Sequence, residues 1–321
     1  MKDHPSRILG VSPYSKSGNL MGGLMIMVSM SLFVINDSII RGLQQPENPF
    51  GVDVLPLSTI VAIRGTIVAG MLGILVYAFE DRPSLRAAAT NKFNLGRGFV
   101  EAVITILFLS TLPFLPFAIA STLIASNPIF LVLLGIILFS EKVGWRRWLA
   151  ILLGFFGIVL ASLGMDTGEF ETSQFRWWAI PACIIAAVLV ALRDVFTRLV
   201  GEKLPPLTVA LSSALFVMVL GWAYSLFGWQ APNSGQWWAL SISSILVMVA
   251  YITSVLAIRL GIFAVVGPLR FVSLVVAFMI GIFLFKEPFS WLGFAGAGLI
   301  VGSAIWIVLR QAKLDEQAEQ K

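Results

Sequence analysis

The chain contains one cysteine, Cys183, and one histidine, His4. An internal disulfide, a cysteine or Cys/His zinc site, a Cys/His nucleophile pair and a Ser-His-Asp triad are thereby excluded. Charge is also scarce. Asp, Glu, Lys and Arg make up 12% of the residues, where a soluble domain carries roughly 25%. There is no Gly-x4-Gly-Lys-Ser/Thr loop, so no P-loop holds ATP within this chain. A net charge of +5 would point to nucleic acid in a soluble protein, but no basic arm interleaved with aromatics is present, and nucleic-acid binding has no support. No cofactor motif is present either. What the chain has in quantity is apolar: 58% of its residues are hydrophobic and its mean hydropathy is +0.91. This is the composition of a polytopic membrane protein.

Runs of ~17–25 apolar residues mark candidate membrane spans. They fall near 20–41, 55–79, 98–113, 117–139, 148–164, 177–199, 206–227, 237–258, 264–285 and 290–310. The first follows a tail with Lys2, Arg7 and Lys16, flanks that also suit a signal peptide. It continues to Ile40 without a small-residue cleavage pattern, so it is expected to span and stay. With ten spans, sixteen Lys and Arg lie on the side of the N-terminus, against only Arg41, Arg176 and Lys286 on the other. The positive-inside rule then puts both termini in the cytoplasm and the acidic loop Asp166, Glu169, Glu171 outside.

Two halves of five spans match in order. Asp37-x3-Arg41 pairs with Asp194-x3-Arg198, and Leu55-Pro-Leu-Ser58 with Pro205-Pro-Leu-Thr208. Phe117-Ala118 pairs with Phe263-Ala264, and Ile137-Leu-Phe-Ser-Glu141 with Phe283-Leu-Phe-Lys-Glu287. Trp148-Leu149 and Trp291-Leu292 open the two last spans. Because five is odd, the second half enters the membrane from the opposite side, an inverted repeat with a site expected near the midplane between halves. The expected organisation is a tail over 1–18, a first repeat over 19–164, a connecting loop over 165–176, a second repeat over 177–310 and a tail over 311–321.

These residues carry a family resemblance. Ala120-Ser-Thr-Leu123, Asn127-Pro128 and Glu141 before Gly144-Trp145-Arg146-Arg147 form one set. Gly267-Pro-Leu-Arg270, with an apolar run to Glu287-Pro288, forms a second, and Arg64-Gly65 adds to both. In this order and spacing the chain resembles the drug/metabolite transporter superfamily, specifically its EamA-type members. The resemblance covers about residues 20–310. It implies an all-α membrane protein, a bundle of ten transmembrane helices in two inverted five-helix repeats, moving small organic metabolites across the bacterial inner membrane. The family includes exporters of amino acids and importers of riboflavin and S-adenosylmethionine.

Six ionisable residues fall within the spans: Asp37, Arg64, Glu101, Arg193, Asp194 and Arg270. A central Asp, Lys or Arg costs ~2.5–3.5 kcal/mol to insert, so each is expected to face a partner or a wet cavity. From a rise of ~1.5 Å per residue, Asp37 and Arg64 share the outer half and Arg270, Asp194 and Glu101 the inner half. Two charged layers flanking a central cavity are expected, each holding a polar substrate group or closing a gate. A structural reading stands beside this. Asp37 and Asp194 can each neutralise an Arg four residues on, Arg193 can snorkel to the nearer interface, and Glu101 lies near a helix end. Asn127, with Ser126 and the kink at Pro128, is a further candidate to line the cavity, or to bond another helix. Tyr251 and Thr253, with Ser212 and Ser213, are weaker candidates. Trp177-Trp178 and Trp237-Trp238 read as interface anchors.

The leading expectation is therefore a secondary transporter, not an enzyme, that carries a small polar or zwitterionic metabolite resembling an amino acid or S-adenosylmethionine. Its partners are the bilayer and the solute, with a proton on an aspartate as a candidate coupling ion and a homodimer left open. The alternatives are an intramembrane enzyme or lipid-handling protein, which the shortage of His and Cys disfavours, and a non-transporting membrane partner, which would lack a soluble domain to signal through.

Overall fold

The computed structural model describes residues 16–46, 49–80, 82–139, 145–163, 176–200, 204–260, 269–287 and 291–319. Glu141, the acidic loop Asp166 to Glu171, Phe263-Ala264, Gly267-Pro268 and Pro288, all used in the sequence argument, lie outside the described residues.

All regular structure among the described residues is helical. The helices are α1 (Lys16–Gln44), α2 (Leu57–Phe79), α3 (Arg82–Thr90), α4 (Lys92–Thr111), α5 (Phe117–Ile124), α6 (Asn127–Phe139), α7 (Trp145–Leu163), α8 (Ala179–Val200), α9 (Pro206–Ser225), α10 (Ser234–Leu260), α11 (Val272–Met279) and α12 (Trp291–Glu319). A single π-helical turn, Ile280–Leu284, continues α11. Six helices (α1, α2, α4, α8, α9 and α10) are long and apolar enough to cross a membrane by length and composition. Shorter apolar helical stretches lie at Phe117–Leu131, Val272–Leu284 and Trp291–Ser303.

The distribution of polarity is that of a protein dissolved in lipid. Leu20, Ile74, Tyr77 and Phe227 are exposed, whereas Asn36, Arg41, Arg64, Glu101, Ser243 and Ser244 are buried. Apolar surface facing outward costs nothing in hydrocarbon, while polar groups must find partners inside the protein. The tryptophans Trp177, Trp178, Trp237 and Trp238 are exposed, as interface anchors would be. The chain is an all-α membrane protein.

Several boundaries differ from the expectation. The third span was expected near 98–113, but α4 begins at Lys92. Asn91 caps it, its side chain accepting from the amides of Phe93 (3.0 Å) and Asn94 (3.1 Å), so the helix starts where two free N–H groups are satisfied rather than where the charge ends. The stretch 117–139 is two helices, broken at Ala125-Ser126 just ahead of Asn127-Pro128. Here Ser126 Oγ and its amide both bond the Leu123 carbonyl, turning the chain. Helix α3, in a stretch that reads as a charged loop, is amphipathic and packs Ala88 against Val200 and Leu204. Finally, α12 runs on through the expected C-terminal tail to Glu319, a segment rich in the good helix formers Gln, Ala, Lys, Leu and Glu.

Packing has an internal symmetry. Exchange α1 with α8, α2 with α9, α4 with α10, α5–α6 with α11, and α7 with α12. The contact of α1 with α10 then becomes that of α8 with α4, α4–α9 becomes α10–α2, and α1–α11 becomes the contact of α8 with α5 and α6. The pairs α2–α9, α7–α12 and α5–α11 map onto themselves. At the α2–α9 crossing the backbones touch. A Cβ on Gly65 would lie 2.8 Å from backbone atoms of Met218, and one on Gly221 would lie 2.7 Å from the Ala62 nitrogen.

Candidate functional site: a charged network inside the bundle

The large outward-facing share of apolar side chains leaves the charged ones inside, where four helices converge. On α4, Glu101 lies about two and a half turns from the helix start and is 5% exposed. It accepts from Arg193 of α8 at 3.1 Å through Oε2 and from the Tyr251 hydroxyl of α10 at 2.8 Å through Oε1. Arg193 also donates from Nη2 and Nε to Asp194 Oδ1, at 2.9 and 3.2 Å. One guanidinium thus joins two carboxylates from different helices. Arg97, one turn before Glu101, lies close enough to interact with the charges of Glu101, Arg193 and Asp194. It is held by Thr197 Oγ1 at 2.9 Å and by the Ser213 hydroxyl. Arg270, just before α11, acts on the same two charges of Arg193 and Asp194.

A second group lies beyond Tyr251. Asp37 of α1 accepts from the Asn36 amide at 2.9 Å, and Asn36 Oδ1 in turn accepts from Ser243 of α10 at 2.6 Å. Arg64 of α2 interacts with the charge of Asp37 and also with Tyr251. Tyr251 therefore stands between the two groups: its ring meets Phe33 of α1 edge-on with centroids 5.3 Å apart, and its hydroxyl reaches Glu101. On these two arginines, Arg64 Nη1 and Arg270 Nε are buried without a hydrogen-bond partner among the described residues.

Hydrogen bonds thus join Glu101, Arg193, Asp194 and Tyr251, while Arg270 interacts with Asp194, and Arg64 with Asp37 and Tyr251, through charge alone. Two expectations are corrected. Arg193 does not snorkel to an interface: Glu101 and Asp194 hold it in the bundle, and a doubly paired cation gains more there than a long stem gains by reaching water. Glu101 is not at a helix end, since α4 extends nine residues before it. Asn127 is half-buried, at the start of α6, and takes no part in the network's contacts among the described residues. Thr253 bonds its own helix, at Val249 O, while Ser212 and Ser213 accept from Asn94 and Arg97 and so tie α9 to α4.

Arg41 also departs from the local reading. Its carboxylate is not Asp37, four residues back, but Glu287, 246 residues on, and both side chains are buried, at 3% and 7% exposure. Glu287 Oε1 further accepts the Phe117 amide at 2.7 Å, at the start of α5. The Arg41 guanidinium lies over the Phe285 ring at 4.3 Å. This pair lies where α1 nears its end and the chain leaves the π-helical turn that follows α11. The equivalent Asp194-x3-Arg198 motif has its aspartate on Arg193, and the Arg198 side chain lies outside the described residues.

The EamA-like transporter family model matches residues 20–163 and again 177–309. The chain belongs to the EamA-like transporter family. Two relatives carry transporter names. An uncharacterized transporter of Synechocystis sp. is 25% identical over 247 residues, 71% of this chain and 74% of that protein. An S-adenosylmethionine uptake transporter of Rickettsia prowazekii is 23% identical over 203 residues, 62% of this chain and 65%, just under two thirds, of that protein. A solved protein crystal structure shares the fold with a TM-score of 0.62 at 19% identity, covering 94% of this chain and 99% of that one. The two stretches matched by the family model meet across the network: Asp37, Arg64 and Glu101 come from the first, and Arg193, Asp194, Tyr251 and Arg270 from the second.

Proposed function

We propose that this EamA-family protein is a secondary transporter that moves a small polar or zwitterionic metabolite across a bacterial inner membrane by alternating access. The observation that carries the proposal is the charged network on the seam between the two family-matched stretches. Side chains that cost several kcal/mol to insert are collected at one place in an otherwise apolar bundle. Helix packing alone would be served by small and hydroxyl residues.

In this reading ten helices form two inverted repeats, 19–164 and 177–310, with both termini in the cytoplasm. The exchange symmetry of the packing and the doubled family match support it. The Arg41–Glu287 end is then periplasmic. Asp37 and Arg64 form the outer polar layer, Asp194, Arg270 and Glu101 the inner one, and Tyr251 the contact between them. Asn127 marks the broken helix beside the cavity. Solute enters when one end opens, exchanges its polar groups with those of the network, and leaves when the repeats rock to open the other end. An aspartate that exchanges a proton in this cycle would supply coupling.

The substrate class draws on two supports: acids and bases are both present in the network, and one relative is named for S-adenosylmethionine uptake. Purified protein in proteoliposomes, given labelled amino acids and S-adenosylmethionine, tests the function. Uptake above that of empty vesicles, lowered by Arg64→Gln and Arg270→Gln, is expected; equal uptake in empty and loaded vesicles across the panel overturns it.

A further inference from the structure

The network carries an excess of positive charge. Among the described residues it holds four arginines (Arg64, Arg97, Arg193 and Arg270) against three carboxylates (Asp37, Glu101 and Asp194). The hydrogen bonds are divided just as unevenly. Arg193 and Arg97 are engaged by carboxylate and hydroxyl acceptors. Arg64 is buried, at 8% exposure, with Nη1 unpartnered, and Arg270 has a buried, unpartnered Nε. Donors held without acceptors in a lipid-embedded bundle are expensive, because no bulk water replaces the missing partner.

Building on the transporter reading, we propose that the transported solute carries a single carboxylate, which Arg64 and Arg270 receive in turn on either side of Tyr251. The unpartnered donors of Arg64 and Arg270 select that group, since a carboxylate supplies the acceptors they lack, whereas a cationic solute without an acid supplies none. The guanidinium fork matches the two oxygens of a carboxylate with paired N–H donors; an ammonium accepts neither, and a hydroxyl offers only one oxygen. Any amino group on the same solute finds Asp37 within electrostatic range of Arg64, and Asp194 within that of Arg270. Each seat therefore pairs a cation with an anion, as a zwitterion requires. The Tyr251–Glu101 hydrogen bond separates the seats, so passage from one to the other needs that contact to part.

The test uses full-length protein in proteoliposomes and matched pairs that differ only in the acid. These are the proteinogenic amino acids against their carboxamides, and S-adenosylmethionine against its decarboxylated form. Flux is measured together with binding, read as thermal protection in detergent, in chloride-free buffer so that chloride does not occupy the seats. For any pair that is carried, the acid is expected to move at least tenfold faster than its partner. Arg64→Gln and Arg270→Gln each remove that preference, while the charge-conserving Arg64→Lys and Arg270→Lys retain part of it, which distinguishes a lost seat from a misfolded bundle. Carboxylate-free partners moving as fast as the acids overturn the proposal and leave the transporter reading intact. Acids that bind but never cross overturn the transporter reading and leave the seats intact. If no acid in the panel binds or crosses, the proposal fails.

Discussion

Replacing Glu287 by Gln removes one charge from a buried pair while keeping the side-chain shape. The amide oxygen can still accept the Phe117 N–H, so the α5 terminus keeps its bond. What is lost is the charge opposite Arg41, which is 2% exposed and whose Nε already lacks a partner among the described residues. Removing one member of a buried pair costs ~3–5 kcal/mol, since the survivor stays desolvated. Glu287→Gln belongs at the lower end, because the amide still accepts from Arg41. If this pair holds only in the closed arrangement, about 3 kcal/mol shifts the closed-to-open ratio roughly 150-fold, at tenfold per ~1.4 kcal/mol. Cys183 is a built-in reporter. It is the only cysteine in the chain, it is fully buried, and its thiol donates to the Ala120 carbonyl at 3.4 Å, one helical turn from Phe117. Maleimide labelling of Cys183 should accelerate about a hundredfold in Glu287→Gln. Arg41→Met/Glu287→Gln should return it close to the original rate, because no orphan charge remains, the amide still accepts the Phe117 N–H, and Met packs against Phe117 and Phe285. A double-mutant coupling below ~0.5 kcal/mol would refute the argument, since independent residues add within that margin.

At the α2–α9 crossing, Gly221→Leu should lower the melting temperature of the detergent-purified protein and reduce its yield, because even a Cβ would meet the Ala62 backbone at 2.7 Å; an unchanged melting temperature contradicts that crossing. Tyr251→Phe keeps the ring contact with Phe33 and deletes one bond to a charged acceptor, worth ~1.5–3 kcal/mol. It should change transport rate more than folding, so equal flux in both proteins argues against a role for that contact in the cycle. Asn91→Ala removes the α4 cap and should cost ~1 kcal/mol in stability with transport selectivity preserved, measured by urea or thermal unfolding and by the acid-to-amide flux ratio.

Lipid solubility made the helices easy to find from sequence, because length and hydropathy alone mark them, and each of the six helices long and apolar enough to cross a membrane overlaps an expected stretch. Boundaries were harder wherever charge and helix overlap. Lys92 and Arg97 read as loop, yet Asn91 starts a helix ahead of them. The same cause displaced Glu101 from a helix interior to an expected helix end. Partner choice was the least legible. An acid and a base four residues apart share a face of one helix, so Arg41 reads as the neighbour of Asp37. Its acceptor lies 246 residues away, on a carboxylate that also receives an amide from α5. Arg193 was misread for a related reason: snorkelling depends on the arginine's own stem, whereas its burial depends on Glu101, 92 residues earlier. Asn36 gave no signal beyond its position next to Asp37, and it acquires a role only when α10 supplies Ser243.

Those long-range pairs follow from how the two stretches pack. Every ion pair that joins different helices among the described residues crosses from the first family-matched stretch to the second: Arg41 with Glu287, and Glu101 with Arg193. Hydrogen bonds follow the same rule at Ser243–Asn36, Tyr251–Glu101, Asn94–Ser212 and Ser58–Gly228. Within each stretch the described helices are held mainly by their own backbones and by apolar packing. A motion that rocks one stretch against the other therefore breaks and remakes polar contacts on the seam while leaving the interior of each stretch intact. In the proposed alternating-access cycle, a solute placed among these groups would compete for the same donors and acceptors that hold the two stretches together, so that binding and opening would be one exchange of partners.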